Sequence, residues 1–212
     1  MVRRLFVCSL LVAGALTAAP AAHVTAHPRC TIKGTPRADT LTGTNGRDVI
    51  CGGHGGDTIN GMQGDDVLIG GPGNDVLKGQ RGNDHIAGGS GRDQLWGAAG
   101  DDVLKGGKGR DLMRAFQGND RAIGGPGKDR IFGGPDNDVL RGKTGDDRIR
   151  AGGGNDVVVG GAGSDVLIGW GGDDDIRAKD GVDSNDSAFG SGGTDTCGVD
   201  TGDATKGCET IT

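Results

Sequence analysis

The sequence is poor in the large side chains that fill a globular core. Its 212 residues include four Phe, two Trp and no Tyr, against 47 Gly. So few large side chains cannot build a thick core, and a glycine content this high is typical of low-complexity or repetitive chains. The fold must therefore do without a thick hydrophobic core.

Glutamate is almost absent as well. Of the 29 acidic residues only Glu209 is a glutamate, and all the others are aspartates. A solvated charged surface would mix the two residue types freely. The preference for the shorter side chain indicates that the carboxylates are held at a fixed, short distance from the backbone of a turn.

Long apolar runs are missing from the chain after its N-terminal region. That region has two arginines, an apolar run over 5–19 and then small residues, which is the plan of a secretory signal peptide. Cleavage is expected after Ala26, with an earlier possible site after Ala21. The alternative, a transmembrane anchor, is disfavoured because a bilayer needs about 20 apolar residues. We expect residues 1–26 to be removed and the protein to be secreted, extracellular or cell-surface associated, with no membrane span left.

The cysteines fit an oxidising compartment. Cys8 leaves with the signal peptide, and an even number remains: Cys30, Cys51, Cys197 and Cys208. In a secreted chain an even set predicts disulfides. Three pairings are possible, and proximity along the chain favours 30–51 and 197–208. A zinc site is disfavoured because there is no CxxC spacing and no nearby histidine pair.

Aspartate recurs at every ninth residue from Asp39 to Asp183. An aliphatic residue stands two positions after almost every one of these aspartates, with Ala122 as the weak case. Glycine stands two positions before each aspartate from Asp48 to Asp174, except where Asp136 replaces it. The aspartate, the aliphatic residue and the glycine keep the same nine-residue spacing over this length, which defines an internal repeat. A short fixed period indicates a solenoid.

Each position of the nonapeptide has a physical role. The glycine before the aspartate permits φ > 0, as a tight turn requires. The three residues after the aspartate alternate out, in, out, which is the period of a short strand. We therefore predict a six-residue turn plus a three-residue strand in each nonapeptide. One inward aliphatic per strand makes a core only when strands stack on both sides of a thin coil, so 18 residues should form one turn.

The position four before each aspartate supports the 18-residue step. In one alternate set this position is mostly substituted: Thr44, Met62, Gln80, Ala98, Phe116, Gly134, Gly152 and Trp170. In the other set it is glycine from Gly53 to Gly161, with Lys143 as the single exception. A plain nine-residue period does not explain this alternation. It predicts a flattened coil with two inequivalent edges.

The units "GGPGNDVLKG" (70–79), "GGKGRDLMRA" (106–115) and "GGAGSDVLIG" (160–169) resemble GGxGxDxUx, the calcium-binding nonapeptide of the RTX (repeats-in-toxin) family. The resemblance covers about residues 43–176. Both ends are similar to those of small secreted calcium-binding proteins of high-GC Gram-positive bacteria. The resemblance implies an all-β fold, a right-handed parallel β-roll, with calcium between successive turns on each edge.

Electrostatics points to the same ion. Stacked strands lie about 4.8 Å apart, and two carboxylates at that spacing repel by roughly 1 kcal/mol in water and roughly 3–4 kcal/mol near a protein surface. The coil therefore needs a counter-ion. Calcium takes six to eight oxygens in a flexible geometry, whereas magnesium is too small and too strict. The predicted calcium ligands are Asp48, Asp57, Asp66, Asp75, Asp84, Asp93, Asp102, Asp111, Asp120, Asp129, Asp138, Asp147, Asp156, Asp165 and Asp174.

The chain is predicted to have four parts. After the signal peptide come an N-terminal cap at 27–42, the RTX β-roll at 43–183 and a C-terminal cap at 184–212. The stretch "DGVDSNDS" from Asp180 resembles an EF-hand loop but lacks the Gly at its sixth position and the Glu at its twelfth. We interpret it as a degenerate last turn that leads into the second disulfide.

The favoured function is non-enzymatic. No GxSxG, HExxH or paired catalytic carboxylates are present, and the repeat fills most of the chain. The first hypothesis is a secreted calcium-binding β-roll that folds on calcium and has a structural or adhesive role at the cell surface.

The second hypothesis is a calcium-dependent binding module for anionic polymers such as teichoic acid, acidic polysaccharide or DNA. Without the two arginines of the signal peptide the formal charge is −8, and roughly ten calcium ions would bring it to about +12. Bases are concentrated between Lys105 and Arg150, where the outward candidates are Arg114, Arg121, Arg130, Arg141, Arg148 and Arg150. The competing explanation of these bases is an ordinary solvated face.

Overall fold

The structure, a computed structural model, describes residues 29–180 and 185–212. The predicted signal peptide lies outside the described residues. Those residues contain no helix that is long and apolar enough to cross a membrane. The strands are β1 (Ile32–Lys33), β2 (Thr40–Thr42), β3 (Val49–Cys51), β4 (Thr58–Gln63), β5 (Val67–Pro72), β6 (Val76–Arg81), β7 (His85–Ser90), β8 (Gln94–Ala99), β9 (Val103–Lys108), β10 (Leu112–Gln117), β11 (Arg121–Pro126), β12 (Arg130–Gly134), β13 (Val139–Thr144), β14 (Arg148–Gly153), β15 (Val157–Ala162), β16 (Val166–Gly171), β17 (Asp175–Arg177), β18 (Ser187–Phe189), β19 (Thr196–Gly198), β20 (Ala204–Lys206) and β21 (Thr210–Ile211).

The strands form two parallel sheets that face each other. The odd-numbered strands make an 11-stranded sheet, here called the odd sheet, and the even-numbered strands make a 10-stranded sheet, the even sheet. From β1 to β17 each strand pairs with the strand 18 residues away along the chain, as Leu68 with Ile86 and Leu77 with Leu95. The fold is thus a parallel β-solenoid of about 10 turns, which confirms the predicted architecture and the 18-residue step.

The strands are longer than the three residues predicted. Most central strands have six residues, as in β5, because the chain stays extended beyond the inward aliphatic. After Leu68 the next inward position is Gly70, and Gly71 then pairs with Gly89 of the following turn. The remaining turn between β5 and β6 is only Gly73 to Asp75. The sequence pattern missed this because glycines that continue a strand look the same as glycines that make a turn.

The core consists of the aliphatic side chains two positions after each aspartate, as predicted. Burying one such side chain fully contributes about 1.5–3 kcal/mol. Ala122, the weak position, is also fully buried. The larger members, all at most 1% exposed, are Ile50, Ile59, Leu68, Leu77, Ile86, Leu95, Leu104, Met113, Ile131, Leu140, Ile149, Val158, Leu167 and Ile176.

Disulfides lie near both ends of the coil. Cys30 bonds to Cys51 and Cys197 bonds to Cys208, with Cα–Cα distances of 5.8 and 5.9 Å. The predicted pairing is therefore confirmed. The first bond ties the residues before β1 to β3, and the second ties β19 to the residues before β21.

The coil continues beyond the boundary predicted at residue 183. Strands β18 to β21 extend both sheets, and Val166 pairs with Ser187 at a separation of 21 residues. The stretch interpreted as a degenerate last turn therefore carries three extra residues. Residues 181–184, which include Asp183, lie outside the described part of the chain. The insertion breaks the nine-residue step on which the predicted boundary rests.

Candidate metal sites on the two edges

All fifteen predicted aspartates lie on the two edges, where one sheet leads into the other. Each is at most 7% exposed, since each directly precedes a strand and turns into the coil. The first edge, from even strands to odd strands, carries Asp48, Asp66, Asp84, Asp102, Asp120, Asp138, Asp156 and Asp174. The second edge, from odd strands to even strands, carries Asp57, Asp75, Asp93, Asp111, Asp129, Asp147 and Asp165.

Hydrogen bonds link the aspartates of successive turns. The backbone N–H of Asp84 donates to Oδ1 of Asp102 at 2.8 Å, and the N–H of Asp75 donates to Oδ1 of Asp93 at 2.9 Å. The same bond repeats along both edges. The short distance between the Cα of each aspartate and the backbone N–H of the neighbouring turn explains the preference for aspartate. A glutamate would place its carboxylate one carbon further from its Cα.

The second carboxylate oxygen of these residues is buried without a hydrogen-bond partner. This holds for Oδ2 of every predicted ligand except Asp48. A Cβ on Gly70 would lie 2.3 Å from Oδ2 of Asp75 and 2.6 Å from the carbonyl oxygen of Gly88. A carboxylate oxygen and a carbonyl oxygen of neighbouring turns therefore line one space that no side chain can enter. Buried charge of this kind is strongly unfavourable until a cation or a proton neutralises it.

Burial changes the acidity of these carboxyls. Desolvation raises the pKa of Asp93 to about 7 and that of Asp102 to about 8. The nearby carboxylates of Asp120 and Asp84 contribute to the higher pKa of Asp102. Desolvation likewise raises the pKa of eight further carboxyls in these two rows, and that of Asp186 beyond them, to about 6–7. Asp48 behaves differently, because the backbone N–H of Thr44 donates to it and lowers its pKa.

The available donors fit a hard cation. Within residues 29–180 and 185–212, no three His, Cys, Asp or Glu side chains converge as a metal cluster. A cation would thus take carboxylate oxygens and complete its shell with backbone carbonyls. Carbonyls do approach closely along the edges: a Cβ on Gly73, whose φ is +155°, would lie 1.6 Å from the Gly55 oxygen. An all-oxygen set favours calcium over zinc.

Two ladder members were missed from the sequence. The N–H of Asp165 donates to Oδ1 of Asp186 at 2.8 Å, and the N–H of Asp174 donates to Oδ1 of Asp195 at 3.1 Å. Both have a buried Oδ2 without a partner. For Asp195 a signal existed, because Gly193 stands two positions before it and the buried Cys197 two positions after it.

At the C-terminal end of each aspartate ladder, the backbone N–H of the last aspartate donates to a carboxylate outside the nine-residue spacing. Glu209, the single glutamate of the chain, accepts the backbone N–H of Asp195 at 2.6 Å. Asp203 accepts the backbone N–H of Asp186 at 3.2 Å on the other edge. The longer glutamate side chain therefore appears where the nine-residue spacing has ended.

The two edges differ in the way the sequence predicted. On the first edge Met62, Gln80, Ala98, Phe116 and Trp170 adopt φ between 81° and 96°, although they are not glycines. On the second edge the matching position is glycine with φ from 112° to 118°, apart from Lys143. A positive φ is unfavourable for residues with a Cβ. The side chains of the first edge therefore stand in a conformation that glycine adopts more easily.

The six outward arginines do not form one surface. Arg114, Arg130, Arg148 and Arg150 lie in the even strands β10, β12 and β14. Arg121 and Arg141 lie in β11 and β13 of the odd sheet, on the opposite face. The six candidates are therefore divided between two faces of the coil, because alternate nonapeptides belong to opposite sheets.

Fold and site together define a class: a parallel β-solenoid with a ladder of buried aspartates along each edge. The family model described as the RTX calcium-binding nonapeptide repeat (4 copies) matches overlapping segments that together cover residues 33–184. The chain belongs to this family, as the sequence resemblance indicated. A comparison with curated proteins finds no match.

Proposed function

We propose that this protein is a secreted, non-enzymatic calcium-binding β-roll that folds on calcium and has a structural or adhesive role at the cell surface. One observation supports the binding of calcium. Two rows of carboxylates run the length of the coil with Oδ2 buried and without a hydrogen-bond partner. The family of the repeats agrees with calcium as the counter-ion.

The aspartates have two roles in this proposal. Oδ1 accepts a backbone N–H from the preceding turn and sets the distance between turns, as for Asp93. Oδ2 remains free for a cation except in Asp48, where it accepts the backbone N–H of Thr44. The fifteen predicted aspartates together with Asp186 and Asp195 would hold calcium ions. Bound calcium supplies positive charge that neutralises the two carboxylate rows. Ion binding is then coupled to folding, because the sites exist only when neighbouring turns are stacked.

Secretion and the structural role are supported by the ends of the chain. The first 26 residues have the composition of a signal peptide. The two disulfides fit an oxidising environment outside the cell. They also close the ends of a stacked repeat, which are the places where such coils fray.

A second candidate function is calcium-dependent binding of anionic polymers. The observation that favours it is a group of exposed arginines on the even sheet: Arg114, Arg130, Arg148 and Arg150. Once the aspartates are neutralised, these side chains would dominate the local potential.

Ion counting tests the calcium proposal. The mature protein (27–212) is dialysed against calcium, and bound metal is measured at equilibrium, with magnesium as the competing ion. We expect on the order of ten calcium ions per chain and little displacement by a large excess of magnesium. A folded protein that retains no calcium, or that exchanges it freely for magnesium, would contradict the proposal.

A further inference from the structure

All aromatic side chains in the described residues lie on one side of the molecule. They are Trp96, Phe116, Phe132, Trp170 and Phe189, and every one belongs to an even strand. The odd strands contain no Phe, Trp or Tyr. In a chain so poor in aromatics, this segregation gives the two faces of the coil different binding properties.

The aromatics alternate with bases in one column of the even sheet. Strand pairing places Lys78 beside Trp96, Trp96 beside Arg114, Arg114 beside Phe132 and Phe132 beside Arg150. We call these five residues the even-sheet column. Neighbouring strands are about 4.8 Å apart, so like residues recur at about 10 Å.

Contacts between cation and ring order the column. The Lys78 ammonium lies 5.3 Å from the Trp96 ring centre, and the Arg114 guanidinium lies 5.6 Å from that of Phe132. Arg150 lies 5.9 Å from the ring of Trp170 at the adjoining edge. Such contacts contribute about 0.5–1 kcal/mol each at exposed sites. The side chains are thereby held against the sheet before any ligand arrives, which lowers the entropy lost on binding.

The charge of this face is of one sign. The strands β6, β8, β10, β12, β14 and β16 contain no acidic residue. Arg130 and Arg148 flank the even-sheet column, and all four arginines of the face are exposed. The side-chain ion pairs of the described residues, Lys128 with Asp146 and Arg177 with Asp175, involve none of these arginines. The face is therefore complementary to an anion.

We infer that the even-sheet column binds a linear acidic polysaccharide in which charged and uncharged sugars alternate, laid along the coil axis across the strands. In an extended polysaccharide one sugar ring advances by about one strand spacing. Uncharged rings would pack their C–H faces on Trp96 and Phe132. Carboxylate or sulfate groups of the charged rings would pair with Lys78, Arg114 and Arg150 through charge-assisted hydrogen bonds.

The spacing favours a polysaccharide over single-stranded nucleic acid. A nucleotide has six backbone bonds and advances further than one strand, so successive bases would fall out of register with the rings. A nucleic acid also carries a charge on every unit, whereas the bases of the column stand on every second strand. This inference makes the second candidate function specific, and it requires that the coil is formed.

The binding test uses tryptophan emission in the calcium-loaded mature protein. Trp170→Phe leaves Trp96 as the single reporter, and it lies inside the column. The probes are a hyaluronan oligosaccharide, which alternates glucuronate with a neutral sugar, a neutral chitin oligomer, polygalacturonate, poly(glycerol phosphate) and oligo-dT. We expect saturable emission changes with hyaluronan and at least about tenfold weaker binding of the other probes.

Matched variants locate the site. Removing two charges from the column with Arg114→Gln and Arg150→Gln should weaken hyaluronan binding about tenfold. Removing two charges from the opposite face with Arg121→Gln and Arg141→Gln should weaken it less than about threefold, since only the general field changes. Trp96→Ala should also weaken binding about tenfold, because a stacking surface is lost. Binding of this variant is measured by calorimetry.

Several results would overturn the inference. Equal losses in the two arginine pairs would mean a diffuse electrostatic attraction. Equal or tighter binding of poly(glycerol phosphate), polygalacturonate or oligo-dT would reject the alternating sugar ligand. No binding by a protein with an intact β spectrum in calcium would reject the inference and leave the calcium proposal standing. A chain that forms no coil in calcium would reject both.

Discussion

Without calcium, the β content of this protein should increase when the pH is lowered. The perturbation is a change of pH from about 8 to about 4 in calcium-depleted buffer. It acts on buried carboxyls of the two rows: from an ordinary value of 3.8, burial raises the pKa of Asp84 and Asp165 to about 6, that of Asp93 to about 7 and that of Asp102 to about 8. In the unfolded chain the same carboxyls ionise near their ordinary value.

The sign follows from proton binding. Between about pH 4 and pH 7 the folded coil holds more protons than the unfolded chain, so the free energy of unfolding falls as the pH rises. The pKa of Asp93 rises from 3.8 to about 7 on folding. This shift means that folding disfavours the charged form of this carboxyl by about 4 kcal/mol. Two or three such carboxyls already equal the whole stability of an ordinary domain, about 5–15 kcal/mol. The ion-free coil should therefore be lost well before neutral pH.

Circular dichroism of the mature protein is the assay, in resin-treated buffer because chelators lose calcium affinity in acid. Light scattering must show that the acid form is not aggregated. In saturating calcium the slope should reverse, because protons then compete with the bound ions for the carboxylates. A calcium-free spectrum that stays flat from pH 8 to pH 4, or that gains β content as the pH rises, would refute the reasoning.

Three further predictions concern single positions and the ends. Asp102→Asn should raise the calcium concentration needed for folding, yet let the calcium-free coil persist to higher pH; Asp101→Asn, which removes the charge of an exposed neighbour, should have a much smaller effect on both, because Asp101 contributes only a minor part of the raised pKa of Asp102. Gly89→Ala should lower the free energy of unfolding in calcium by about 1–3 kcal/mol, because its Cβ would lie 2.2 Å from the Gly71 oxygen; Ala98→Gly, at the matching position of the first edge, should change it by less than about 1 kcal/mol. Reducing both disulfides should raise the calcium midpoint, since each bond contributes about 2–4 kcal/mol; equal midpoints before and after reduction would exclude a stabilising role for these bonds.

The architecture could be predicted because few residues determine it. Aspartate, glycine and one aliphatic at fixed positions within nine residues set the 18-residue step and the inward rows of aliphatic side chains. The alternation at the position four before aspartate, from Met62 to Trp170, even separated the two edges. The repeat therefore carries the same information many times over.

Other features could not be predicted from the repeat. The ladder continues to Asp186 and Asp195 across a three-residue insertion, and register after an insertion is decided by strand pairing. The sequence shows bases concentrated between Lys105 and Arg150, whereas strand pairing shows that Arg114 and Arg121 lie in different sheets. The column of bases and aromatics appears only when every 18th residue is compared.

Calcium-coupled folding is tested most directly by a calcium titration of the mature protein at neutral pH, in which circular dichroism and the hydrodynamic radius are measured. In excess chelator we expect an expanded chain with little β structure. Added calcium should produce a cooperative transition to a compact β form, and magnesium should produce no such transition. The same compact β spectrum and the same radius in excess chelator would contradict the claim that the buried aspartate ladder requires a cation.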